Sequence, residues 1–105
     1  MEIDEKFYAS ILYDYYHGLL SEKQQDDLRD YLQSDYSISE IAKDKNISRQ
    51  AVYDSIRRGI EQLKKYEAKL RFYAKEDEIY KELDILKEAH SEISSEIEKI
   101  QNKIF

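Results

Sequence analysis

Two serine caps eleven residues apart constrain this chain more than any other feature. Ser37 with Glu40 reads S-x-x-E, the pattern in which a hydroxyl and a carboxylate reciprocally satisfy the first unpaired N–H groups of a helix. A helix therefore begins at Ile38. Ser48 is a second good N-cap, and Asn46 just before it tolerates the left-handed conformation of a tight turn. The stretch Ser37–Arg58 is thus predicted to be a short helix, a tight turn and a longer helix opening at Arg49. Ile38, Ile41, Ile47, Val52 and Ile56 form a miniature core, Ile47 tucks beneath the turn, and small Ala42 marks the closest approach.

The flanking sequence supplies more helix and nothing else. There is no proline, and 38% of residues are charged, a composition that suits a soluble all-α chain. Phe7, Tyr8, Ile11, Leu12 and Tyr15 recur at three- and four-residue steps, predicting a first helix over Asp4–His17 that a left-handed Gly18 closes. Ser21 with Gln24 caps a second helix, which carries Leu28, Tyr31 and Leu32 inward and ends near Ser34. The helix from Arg49 continues through Ile60, Leu63 and Leu70. Gly59 inside it implies a close helix crossing or, alternatively, the approach of a phosphate, with close packing the preferred reading. Residues 1–75 are read as one four-helix unit and residues 76–105 as a separate C-terminal helix.

That last segment carries a heptad pattern. Ile79, Leu86, Ile93 and Ile100 occupy one core position, and Leu83, His90, Ile97 and Ile104 the other. An unbroken amphipathic helix through Ile104 would be about 39 Å long. It either pairs between chains, giving a homodimer with His90 fixing the register, or folds back as a fifth bundle member. The register of the preceding helix runs out of phase with Ile79 and Leu83, so the chain bends somewhere between Tyr73 and Glu78.

Charge is unevenly laid out. The net charge of −6 argues at first against a polyanionic partner, yet residues 1–42 carry −7, residues 43–75 carry +6 and residues 76–105 carry −5. A basic block between acidic flanks points one surface at a polyanion or at an acidic protein. Several classes are excluded. Two glycines cannot supply a phosphate-cradling loop, and with no cysteine and only His17 and His90 there is no disulfide framework, no cofactor site and no cluster with metal-ligand spacing. No constellation of catalytic residues suggests an enzyme. The acidic start MEIDEKF and the lack of an 18-residue apolar run predict a cytoplasmic protein that neither is exported nor enters a membrane.

The segment Ser37–Arg58 is a helix-turn-helix, a unit that inserts its second helix into the DNA major groove. With Val52 and Ile56 inward, Gln50, Tyr53, Asp54 and Arg57 turn outward, with Arg49 at the leading end. Arg49 suits guanine, Gln50 adenine and Asp54 cytosine, while Tyr53 suits a phosphate or a thymine methyl. Ser48 and the helix N-terminus position a phosphate, and Lys43, Lys45, Arg57 and Arg58 supply sequence-independent attraction. Asp54 repels phosphate unless Arg57 or Arg58 pairs with it. Most of the ten tyrosines, such as Tyr8, Tyr15 and Tyr31, belong to the core or its edge, Tyr53 excepted. The alternative is a helical hairpin in a bundle with an ordinary solvated cationic face.

From Ile11 to Leu70 the chain resembles region 4 of bacterial sigma factors. Leu19, Leu20, Gln24 and Leu28 precede Ser37, Glu40, Ile41 and Ala42, then Ile47 and Ser48. More narrowly, S-R-Q-A-V-Y-D-S-I-R-R, Tyr36 before Ser37, and Y-E-A-K-L at Tyr66–Leu70 are similar to the YlxM family of small helix-turn-helix proteins of Gram-positive bacteria and mollicutes. The resemblance implies a DNA-binding regulator. It also implies a tie to the signal recognition particle pathway, because the family's gene lies beside those of the particle's GTPases. A rival expectation is a protein-interaction module, or an RNA binder, that contacts the particle's RNA or GTPases without binding DNA. The chain lacks promoter-melting regions, so it does not act alone as a sigma factor.

Overall fold

The computed structural model describes residues 3–105, all helix and connection with no strand among them. The helices are α1 (Ile3–Tyr16), α2 (Glu22–Leu28), α3 (Ile38–Lys45), α4 (Arg49–Leu70), α5 (Phe72–Ala89) and α6 (Ser94–Gln101). A 3-10 turn over His17–Leu19 follows α1, and a π-helical turn over Arg29–Gln33 extends α2 to Ser34. The chain divides into two compact units, Met1–Leu70 and Arg71–Phe105.

In the first unit α4 is the central element, and α1, α2 and α3 all pack on it. Leu12, Leu28, Val52, Ile56 and Leu63 are completely buried. Each such side chain contributes about 1.5–3 kcal/mol by leaving water. Gly59 marks the α2–α4 crossing, since a Cβ there would stand 2.7 Å from Leu28 Cδ1. The caps form as their residue types dictate. Ser37 Oγ accepts from Glu40 N at 3.1 Å while Ser37 N donates to Glu40 Oε1 at 3.2 Å. Ser21 Oγ accepts from Gln24 N at 3.2 Å.

Three expectations for this unit need correction. The buried stripe of α1 is Ala9, Leu12, Tyr13 and Tyr16, whereas Phe7 is 69% exposed. Apolar and aromatic residues surround α1 almost completely, so their spacing did not select one face. Gly18 is not left-handed, because the chain leaves α1 through a 3-10 turn that any residue can adopt. Ile47 does not tuck away but stays 41% exposed, since Asn46 alone turns the chain.

In the second unit the expected single long helix is a hairpin of α5 and α6. His90, at φ −132° and ψ 71°, breaks it, and the 3-10 turn Ser91–Ile93 leads into α6. Ser91, Ser94 and Ser95 crowd this point, and serine competes with the helix for its own backbone groups. His90 is therefore an exposed corner and not a core position. The bend before the tail comes at Arg71, earlier than expected, with φ 54°. Inside the hairpin Ile97 and Gln101 are buried. Gln101 Nε2 donates to Asp84 Oδ1 at 2.6 Å and to the Tyr80 carbonyl at 3.2 Å, and its Oε1 accepts from Lys87 at 3.2 Å. A buried amide with every group paired is tolerated and specifies its position.

Candidate nucleic-acid interface

The turn between α3 and α4 is built from backbone upward. Asn46 takes φ 55° and ψ 47°, a left-handed conformation that asparagine adopts at little cost. Its N–H reaches the Lys43 carbonyl at 3.3 Å, and the Ile47 N–H reaches the Ala42 carbonyl at 3.0 Å, so these two carbonyls of the last turn of α3 are satisfied. Ser48 then caps α4, its Oγ accepting from Ala51 N at 3.0 Å. The buried residues Ile41 and Ala42 of α3 face Val52 and Ile56 of α4 across the miniature core.

This geometry leaves the leading end of α4 open. Ser48, Arg49, Gln50 and Ala51 are all exposed, as are Tyr53, Arg57, Arg58 and Lys43. Among the described residues, Lys43, Arg49 and Arg58 take part in no ion pair, so one exposed cation near the end of α3, one at the start of α4 and one nine residues further along α4 have no internal counter-charge. Arg57 pairs with Glu61 at 3.0 Å, an exposed contact on one helix face worth about 0.3–0.5 kcal/mol. A phosphate can take it over.

Two expected members of the face behave differently. Asp54 pairs with neither Arg57 nor Arg58 but accepts from Gln50 Nε2 at 3.0 Å. Lys45 turns away from the face to Asp27, which is 1% exposed, and it also lies 3.8 Å from Asp30 Oδ2. Partial burial acts to lower the Lys45 pKa, but the hydrogen bond and charge of Asp27, helped by Asp30 and Asp26, outweigh it and hold the ammonium above its usual range. Asp27 Oδ2 accepts from Ser55 Oγ at 2.6 Å. One buried carboxylate thereby fastens α2 to the end of α3 and to the outer side of α4. Sequence reasoning missed this node. Its only trace is the placement of Asp27 beside Leu28, next to the inward stripe of α2.

The residues expected to mediate self-association split into two sets. Ile97 is buried inside the hairpin, and Leu83 and Ile104 are partly so. Ile79, Leu86, Ile93 and Ile100 remain 46–49% exposed. No group of three metal-ligating side chains occurs among the described residues, and no helix is long and apolar enough to cross a membrane.

Capped helices, a left-handed asparagine turn and a second helix whose leading end is exposed make this an all-α helix-turn-helix protein. The family model UPF0122, described as "Putative helix-turn-helix protein, YlxM / p13 like", matches residues 3–103, and the chain belongs to that family. It is 50% identical over 88 residues to a UPF0122 protein of Fusobacterium nucleatum, covering 84% of this chain and 85% of the relative. It is 41% identical over 87 residues to one of Halalkalibacterium halodurans, covering 83% and 80%. To a UPF0122 protein of Limosilactobacillus reuteri it is 47% identical over 74 residues, covering 70% of this chain and 66% of the relative.

Proposed function

We propose that this protein is a non-enzymatic, cytoplasmic regulator that binds duplex DNA by inserting the start of α4 into the major groove. The observation that carries the reading is the exposed opening of α4 at Arg49, on a helix-turn-helix whose exposed Lys43, Arg49 and Arg58 take part in no ion pair among the described residues. Ser48, Arg49, Gln50, Tyr53, Asp54 and Arg57 complete the contact face. The acidic segments on either side, residues 1–42 at −7 and residues 76–105 at −5, direct a polyanion towards the basic block that contains this surface.

The active species is proposed to be a homodimer joined through the C-terminal hairpin. Ile79 and Leu86 on α5, and Ile93 and Ile100 at and within α6, repeat every seven residues. A two-helix hairpin with a polar amide at its centre buries little apolar surface. Apposing the same stripes of two copies would make four helices with a continuous apolar interior. Two recognition helices would then read a two-fold site.

Fluorescence anisotropy of a labelled duplex, titrated between about 50 and 200 mM salt, tests the DNA reading. Affinity is expected to fall steeply with salt. Arg58→Ala should weaken binding to all sequences and reduce the slope by about 0.9. Lys45→Met should leave the slope unchanged, because that ammonium serves Asp27. If no duplex binds at the lowest salt while the protein retains signal recognition particle RNA or its GTPases, the DNA reading is replaced by the interaction module.

A further inference from the structure

We infer that Asp54 sets the sequence preference of this face by demanding a base that presents an exocyclic amino group, adenine or cytosine, and by rejecting guanine and thymine. The inference rests on the DNA reading above.

Asp54 lies two residues from both Val52 and Ile56, so at about 100° per residue it projects from the side of α4 opposite the buried stripe. Half-buried among exposed neighbours, it lies on the surface that would meet base edges, between Gln50 one turn before and Arg57 and Arg58 one turn after. Neither arginine neutralises it. Arg57 is engaged by Glu61, Arg58 joins no ion pair among the described residues, and the partner of the carboxylate is the neutral amide of Gln50 at 3.0 Å.

An anionic side chain at the centre of a DNA-facing surface weakens binding everywhere except where it meets a donor. A carboxylate accepts hydrogen bonds and donates none. In the major groove the donors are adenine N6 and cytosine N4, whereas guanine O6 and N7 and thymine O4 are acceptors. Gln50 holds this carboxylate in place without neutralising it: one N–H of its amide goes to Asp54, while the second N–H and Oε1 stay free for adenine N7 and N6. The Asp54 carboxylate is therefore the group on this face that accepts and cannot donate. Guanine or thymine opposite it leaves acceptor against acceptor, a penalty of about tenfold in affinity.

Selection from a random duplex pool, run in parallel with the wild-type protein, Asp54→Ala and Asp54→Asn, tests this. The wild-type pool should contain a position restricted to adenine or cytosine on one strand. The Asp54→Ala pool should lose that restriction alone, while the variant binds a mixed-sequence duplex several-fold more tightly because a repulsive charge is gone. Asp54→Asn, which adds a donor, should admit guanine and thymine there. Tighter binding with an unchanged preference would show that Asp54 only repels phosphate and would overturn the inference. Failure of the wild-type protein to bind any duplex would remove the DNA reading itself, and the inference with it, a result separate from an unchanged preference.

Discussion

Replacing Asp27 by Asn removes one charge from a side chain only 1% exposed and leaves its volume unchanged. Two donors, Lys45 Nζ and Ser55 Oγ, converge on that carboxylate. A hydrogen bond to a charged group contributes about 1.5–3 kcal/mol. Asparagine retains one acceptor, so one of the two bonds survives in neutral form, and Lys45, 28% exposed, recovers part of its hydration. The expected loss is about 2–3 kcal/mol, or roughly 8–24 °C in Tm for a unit of this size. Thermal unfolding at neutral pH, followed by circular dichroism, reads it directly. Lys45→Met should destabilise as well, and the double variant should lose less than the two singles combined, with a coupling of about 1–2 kcal/mol. Replacing both partners by apolar residues should restore much of the stability, because the cost lies in leaving one buried partner alone. A loss below about 0.5 kcal/mol for Asp27→Asn, or strictly additive singles, would refute the view that this node fastens α3 and α4 to α2.

Stability should fall on the alkaline side: the Lys45 pKa is raised chiefly by Asp27 against the opposing effect of burial, and the Tyr13 pKa is raised by burial. Both contributions are complete below the unfolded values, about 10 to 10.4, and are lost as pH rises through the higher folded ones; Lys45→Met should flatten this limb in pH-dependent melts, and an unchanged limb would refute the assignment. The two glycines should respond oppositely to alanine. Gly18, where an added methyl group would meet nothing within 4 Å, should gain about 0.4–1 kcal/mol, whereas Gly59 should lose about 1 kcal/mol because crowding of Leu28 exceeds the gain in helix propensity. Equal gains in denaturant titrations would contradict the close crossing. Sedimentation should give a dimer mass for the wild type and a monomer for Ile79→Glu with Ile100→Glu, and an unchanged mass would place the dimer contact elsewhere.

The central motif was readable because its signals are local and redundant. Ser37, Glu40, Asn46 and Ser48 each act through backbone groups within a few residues, and all four behave as their chemistry predicts. Gly59 was readable for a related reason, since a glycine inside an amphipathic helix needs a packing partner to justify it, and Leu28 is that partner. The face of α1 was not readable, because choosing Ala9, Tyr13 and Tyr16 over Phe7 depends on what α4 presents in return. The tail misled for the opposite reason. Its heptad continues through His90, but three nearby serines make the helix weak enough to break, and the apolar repeat then serves two antiparallel helices as well as one. Lys45 looked like one more cation in a basic block, and only the fold brings buried Asp27 to it across eighteen residues.

Everything proposed for this protein requires that the surface opening at Arg49 is what meets DNA. Backbone amide shifts, followed by NMR as a short duplex is added at low salt, show where contact is made. The changes should gather on Lys43, Ser48, Arg49, Gln50, Tyr53, Asp54, Arg57 and Arg58 and fade as salt is raised. Changes confined to the acidic faces of α1 and α2 or to the C-terminal hairpin, or no change with any duplex, would contradict it.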